Sequence, residues 1–298
     1  MRSSTSRRTV AAGAVVLAAA VGLTACGDDT DTAPTDTPPA AALAADKALA
    51  DAVPADVKAD GKIVIGVDSS YAPNEFLDED GKTVTGWDVA LFDAVAAKIG
   101  LKTEWVSSSF DGIIPGIGSG KYEVGVSSFT INPERLQAAS MVSYFSAGTQ
   151  WFGKAGATIS PDDACGKKIA VQASTVQVED IEAKSKACKD AGKPEITIDQ
   201  YQGQDEATAA VVSGKDEAGL ADSPIAAYAV SKAPGLQLLG EIYDAAPYGY
   251  VVKKGSPFGK VLADATKALI ADGTYTKVLS EWGVEGGGIT DPAVDPAS

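Results

Sequence analysis

The sequence predicts an α/β protein built as two lobes. Short apolar runs of strand length alternate with amphipathic helical runs, the signature of a sheet with helices on its faces. That alternation occurs in two successive blocks, the second opening near residue 149. From residue 61 onward the chain is also long enough to bury a sizeable core, as one large domain or as two lobes.

Each element follows from its own pattern. Lys62–Val67 is a nearly all-apolar strand, and Asp88 heads a run with Val89, Phe92, Val95, Ala96 and Ile99 on one helical face, stopped at Gly100. Residues 103–106 read as a strand, 113–117 as a short helix and 124–126 as a strand. The second block begins with the strand 149–153. It continues with strand 168–171, helix 176–187, strand 196–198, helix 205–212, strand 218–221 and helix 224–230. A strand at 248–252, a helix at 257–271 ended by Gly273 and a segment at 275–282 return to the first lobe. The expected organisation is therefore a first lobe at 61–148, a second at 149–246, a return at 247–285 and a tail at 286–298, with two crossing strands near 149–152 and 246–250 as the hinge. In open α/β sheets the ligand crevice lies beyond the carboxyl ends of the strands, so functional polar groups belong just after them.

The N-terminal region speaks of location. Arg2, Arg7 and Arg8 precede an apolar stretch at 10–21 that is too short and too Ala-rich for a stable span, so residues 1–25 read as a signal peptide. Leu23-Thr24-Ala25-Cys26 resembles a lipobox, in which Cys26 takes a diacylglycerol and becomes the new N-terminus. This places the mature chain outside the cell membrane on a lipid anchor. An ordinary secretory signal and an uncleaved anchor are the alternatives, and Ser6-Arg7-Arg8 leaves both general and twin-arginine export open. Residues 26–60 are expected to be a linker; 27–45, rich in Asp, Thr, Pro and Ala and without an aromatic residue, has too little apolar surface to order.

Composition excludes several functions. The formal charge of −15, more negative once the leader's arginines are gone, repels nucleic acid and anionic lipid. There is no histidine, which removes the usual general base, the His-containing triads and the commonest zinc ligand. The glycine-rich stretch 112–120 lacks the lysine and spacing of a phosphate loop, and nothing calls for a metal or a cofactor. With Cys26 lipidated, Cys165 and Cys188 are an even pair in an oxidising compartment and are expected to form a disulfide, against the alternative of two buried thiols.

Four segments just after strands carry the chemistry. In Ser127-Ser128-Phe129-Thr130-Ile131-Asn132-Pro133-Glu134-Arg135, Asn132 can cap a helix whose first residue is Pro133, gathering free N–H groups and the Arg135 fork where an anion belongs. A surface Arg135 paired with Glu134 or Asp93 is the competing reading. The other segments are 68–73 with Gly86-Trp87-Asp88, then 172–175, and 221–224. Together, over 62–282, they resemble family 3 of the extracytoplasmic solute-binding proteins, the polar amino-acid-binding lipoproteins of ABC importers.

The resemblance implies a two-lobed, type II periplasmic-binding-protein-like fold that captures a polar or basic amino acid between the lobes and delivers it, as a monomer, to the transmembrane permease subunits. It implies Arg135 and the Thr175 backbone on the ligand carboxylate. Asp222, the Ser128 carbonyl and the Thr130 hydroxyl would take the ammonium. Tyr71 and Phe110 would sandwich the side chain, with Asp68 at the far end, and Gln172 is counted among the ligand-binding residues. Ordinary core packing competes for Tyr71 and Phe110, and a plain helix cap for Asp222. Trp87, Trp151 and Trp282 are assigned to core or hinge. Asn74, Asn132 and Ala173 depart from the family pattern, Asn74 where relatives often have an aromatic. Two other functions compete with import: a dehydratase on the same fold, acting on prephenate- or arogenate-like substrates through Glu75, Glu179 or Asp222, and a ligand-sensing lipoprotein.

Overall fold

A computed structural model describes residues 44–297. The signal peptide, Cys26 and most of the expected linker lie outside the described residues. Along the chain, helix α1 (Lys47–Ala52) leads to strand β1 (Lys62–Val67), a three-stranded meander of β2 (Ser70–Tyr71), β3 (Glu75–Leu77) and β4 (Val84–Thr85), and helix α2 (Trp87–Lys98). Then come β5 (Lys102–Ser107), α3 (Phe110–Ser119), β6 (Val124–Gly125), α4 (Pro133–Ala138) and the long β7 (Ala139–Lys154). The second lobe follows with β8 (Lys168–Gln172), α5 (Val176–Asp190), β9 (Thr197–Tyr201), α6 (Gln204–Ser213), β10 (Ala218–Asp222) and α7 (Ser223–Lys232). Strand β11 (Leu236–Lys253) leads back to α8 (Phe258–Ala271) and α9 (Thr274–Trp282).

The strands form one sheet in the order β5-β1-β6-β11-β7-β10-β8-β9. Its two ends are parallel, β1 with β5 and β6 in one lobe, β8 with β9 and β10 in the other. Between them β7 and β11 run antiparallel through both lobes. At one end β11 pairs with β6 through Val251 and Gly125, and at the other β7 pairs with β10 over Thr149 to Gly153. The β7–β11 register shifts three times, between Leu239 and Tyr243, Tyr243 and Ala246, and Tyr248 and Gly249. These irregularities mark where the pair passes from one lobe to the other, close to the expected crossing.

Each lobe has its own core. Trp87, Leu91, Phe92, Tyr144, Tyr250, Phe258 and Leu262 pack in the first; Trp151, Ile169, Val171, Ile181 and Leu220 pack in the second. Trp87 and Trp151 are fully buried, and Trp282 packs partly buried against the first core. Cys165 and Cys188 form a disulfide that joins the segment before β8 to the last turn of α5.

Several elements differ from the sequence expectation. The C-terminal part of the 26–60 linker is folded: Asp46 caps α1, and Val53 and Val57 are buried against the first lobe. A six-residue helix among alanines gives too short a periodicity to register. Strands β7 and β11 are far longer than the expected 149–153 and 248–252 because β7 is buried on both faces and so shows no alternation. Gly240 in β11 looks like a breaker but falls within a register shift, and Pro247, paired opposite Ser146, sits between the two other shifts. Within the C-terminal tail, Ala293 and Asp295 hydrogen-bond to Ser143, Met141 and Ser140 of β7.

Candidate functional site

The carboxyl ends of β1, β6, β8 and β10 converge where the two lobes meet. A small cavity lies there, lined by Asp68, Tyr71, Phe110, Ser127, Ser128, Thr130, Arg135, Gln172, Thr175, Val176, Gln177 and Asp222. All nine residues singled out from the sequence face this one space. Three others, Ser127, Val176 and Gln177, were not among the nine. The last two lie in the first turn of α5, beyond the segment read as Gln172-Ala173-Ser174-Thr175.

Arg135 is placed by its helix. The Asn132 side chain accepts from the Arg135 N–H at 2.8 Å, and Pro133 opens α4 as expected. The guanidinium donates to the Thr130 carbonyl at 2.8 Å and to the Ser174 carbonyl, across the cleft, at 3.2 Å. It lies 5.3 Å from the Phe110 ring centroid and 5.5 Å from that of Phe129, and these two rings stack at 4.5 Å. The suggested partners Glu134 and Asp93 do not claim it: Asp93 instead accepts from Thr103 and Trp105. Burial lowers the Arg135 pKa from its usual value, opposed by the charges of Asp222 and Glu179, and a guanidinium stays ionised regardless.

Asp222 precedes α7, yet its side chain caps nothing there. Tyr71 and Tyr248 donate to one carboxylate oxygen at 3.0 and 2.7 Å, and Gln177 donates to the other at 2.8 Å. Tyr71 belongs to the first lobe, so this bond already crosses the cleft. Burial raises the Asp222 pKa, while the Tyr248, Tyr71 and Gln177 donors and the Arg135 charge pull it down. The importance of Tyr248 carried no sequence signal, because it lies in what read as an ordinary strand.

Asp68 sits at the other end of the cavity, 6% exposed. It accepts from the Ser70 N–H at 3.0 Å and, across the cleft, from Gln172 Nε2 at 2.8 Å. Burial raises its pKa, partly offset by those donors. Thr175 caps α5 through the backbone while its hydroxyl donates to the Gln172 carbonyl at 2.7 Å, and the left-handed residue of that turn is Ser174 rather than Ala173.

The departures from the family pattern resolve into structure. Asn74 is fully buried beneath the floor, donating to the Ser128 hydroxyl at 2.8 Å and accepting from Trp87 Nε1 at 2.6 Å. Of the acids considered for dehydration chemistry, Asp222 lines the cavity, Glu75 is buried behind Ser128, and Glu179 lines an outer vestibule. That vestibule shares Phe110, Arg135 and Thr175 with the cavity and adds Asp111, Glu134, Glu179 and Glu182. Among the described residues no cluster fits a metal ion, and no helix is long and apolar enough to cross a membrane.

Residues 63–285 match the model of the bacterial extracellular solute-binding proteins, family 3. An arginine-binding protein, ArgT, of Corynebacterium glutamicum is 34% identical over 234 residues, covering 76% of this chain and 76% of that protein. Among solved structures, an ancestral arginine-binding protein bound to arginine superposes with a TM-score of 0.69 at 32% identity, covering 74% of this chain and 98% of that one. An ancestral arginine-binding protein bound to glutamine gives a TM-score of 0.69 at 31% identity, with 76% and 99% covered.

Proposed function

The chain belongs to family 3 of the bacterial extracellular solute-binding proteins, and from that premise we propose that it is the lipid-anchored receptor of an ABC importer for a basic amino acid, with arginine the foremost ligand. The observation that carries this reading is the charge of the cavity. Its lining holds two carboxylates, Asp68 and Asp222, and one guanidinium, Arg135. A zwitterion with a cationic side chain supplies the complement: its carboxylate for Arg135 and Thr175, its ammonium for Asp222, Ser128 and Thr130, its side-chain cation for Asp68 beyond Tyr71 and Phe110. A ligand with a neutral side chain leaves Asp68 buried without a counter-charge, and a glutamate side chain is repelled.

The relatives reported above support the same chemistry, since one is named for arginine and a structural neighbour holds arginine. Binding contacts both lobes and therefore favours closure by differential affinity. Delivery to the permease and anchoring through Cys26 complete the proposal. Isothermal titration of the mature chain with a panel of amino acids tests it. Arginine should bind with lysine second, glutamine weaker and glutamate not at all, and Arg135→Ala should abolish binding. Equal arginine binding by wild type and Arg135→Ala refutes the clamp.

A further inference from the structure

Behind the cavity floor lies a pair of carboxyl groups outside the cavity lining. Glu75 of β3 and Asp88 in the first turn of α2 are both fully buried. The intervening turn brings them together at Gly86, whose φ of +135° and close approach admit no side chain; an added Cβ would stand 1.9 Å from the Asn74 carbonyl oxygen. Helix α2 thereby starts against the Asn74 backbone, with Asp88 N–H donating to the Asn74 carbonyl at 3.2 Å.

Each carboxyl has one oxygen accounted for. Glu75 Oε1 accepts from the Ser128 hydroxyl at 2.8 Å, and Asp88 Oδ2 accepts from the Tyr144 hydroxyl. Glu75 Oε2 and Asp88 Oδ1 are buried with no donor among the described residues. Two neighbouring carboxylates buried without a cation resist ionising together, and a single proton between them would convert two orphaned acceptors into one donor and one acceptor. The other ionisable groups facing the pair are Asp68, Tyr71, Tyr144, Tyr248, Tyr250 and Tyr275, none of them cationic. Position decides which acid holds the proton. Asp88 lies at the N-terminus of a 12-residue helix, where the dipole favours negative charge, whereas Glu75 has no such support. Burial and the Asp88 charge accordingly push Glu75 well above the ordinary carboxylate range.

The pair bears on the cavity through Ser128, a non-glycine residue in left-handed conformation at φ +50°. Its hydroxyl accepts from Asn74 and donates to Glu75, so both of its bonds are committed to the groups below the floor. We propose that Glu75 and Asp88 share one proton, carried by Glu75, and that the protonated pair together with Asn74 is the positioning device that locks Ser128 into its left-handed conformation on the cavity floor. The consequence for affinity rests on the amino-acid reading of that cavity; the shared proton does not.

Infrared spectroscopy of the ligand-free chain near neutral pH tests the proton directly. The carboxylic-acid carbonyl band of wild type should lose intensity in Glu75→Gln, and an undiminished band overturns the proposal. Thermal melting supplies a second arm. Because the folded pKa of Glu75 lies above its unfolded value, folding takes up a proton, and Tm of wild type should fall relative to Glu75→Gln as pH rises above the ordinary glutamate range. Parallel profiles would count against it. In titrations with L-arginine, Glu75→Ala should bind about ten- to a hundredfold more weakly, the effect of leaving a buried polar partner unsatisfied. Glu75→Gln, whose amide can both donate to Asp88 and accept from Ser128, should recover most of that loss; equal losses in two folded variants overturn the positioning role. If wild type binds no arginine, the ligand assignment fails while the infrared and melting arms still judge the pair.

Discussion

Arg135 and Asp222 are opposite answers to one problem, how to keep a charge useful when it is taken out of water. The guanidinium keeps its charge and spends two donors on the Thr130 and Ser174 carbonyls, leaving further N–H groups for a carboxylate. Arg135→Lys, which loses the planar fork, should weaken arginine binding by about tenfold or more, read by calorimetry. Asp222 keeps its charge through three donors, and Asp68 through two. Both carboxyls are nonetheless pushed above their usual range by burial. Acidification from neutral pH therefore protonates them earlier than exposed carboxylates, so arginine affinity should drop in mildly acidic buffer. The ratio of arginine to glutamine affinity should drop with it, because only arginine needs the Asp68 charge. A pH-independent ratio, or an unchanged ratio in Asp68→Asn, would remove Asp68 from specificity.

At the scale of elements, helix termini do most of the placing. The Asn132 cap aims Arg135, and Asn132→Ala should cost about 1 kcal/mol of stability, seen in denaturant titration, with a loss of arginine affinity alongside. Helix α5 works at both ends: its first turn lines the cavity, while Cys188 near its last turn is bonded to Cys165. Those ends are about 18 Å apart along a helix rising 1.5 Å per residue. Replacing both cysteines by serine should thus lower unfolding free energy by about 3 kcal/mol, the entropy of closing a loop with a sequence separation of 23, and leave arginine affinity within about threefold. A large affinity change would mean that the disulfide shapes the cleft.

Across the whole molecule, the lobes are held together largely by bonds that the ligand site itself supplies. Tyr71 to Asp222, Gln172 to Asp68, Arg135 to Ser174 and the Gln204 N–H to Ser70 all cross the cleft. Tyr71→Phe should loosen this closed arrangement in the absence of ligand, which small-angle scattering would register as a larger radius that shrinks when arginine is added. The acidic vestibule adds a long-range effect. With Asp111, Glu134, Glu179 and Glu182 around its mouth, association of arginine should slow as salt is raised, whereas that of a neutral amino acid should not. Stopped-flow rates over a salt series check both.

Local pattern was enough to read the α/β alternation, the two blocks and the pair Cys165 and Cys188, whereas the nine residues that line one crevice came from the family resemblance. Periodicity and capping are properties of neighbours in the chain, and the carboxyl ends of parallel strands must face the same way. Tertiary structure alone decided the rest: the full lengths of β7 and β11, the folding of α1, the role of Tyr248, and the proximity of Glu75 to Asp88 beneath Ser128. Their partners are set by burial on two faces or by contacts between distant segments, such as Tyr71 and Asp222, 151 positions apart, and no window of sequence carries that information.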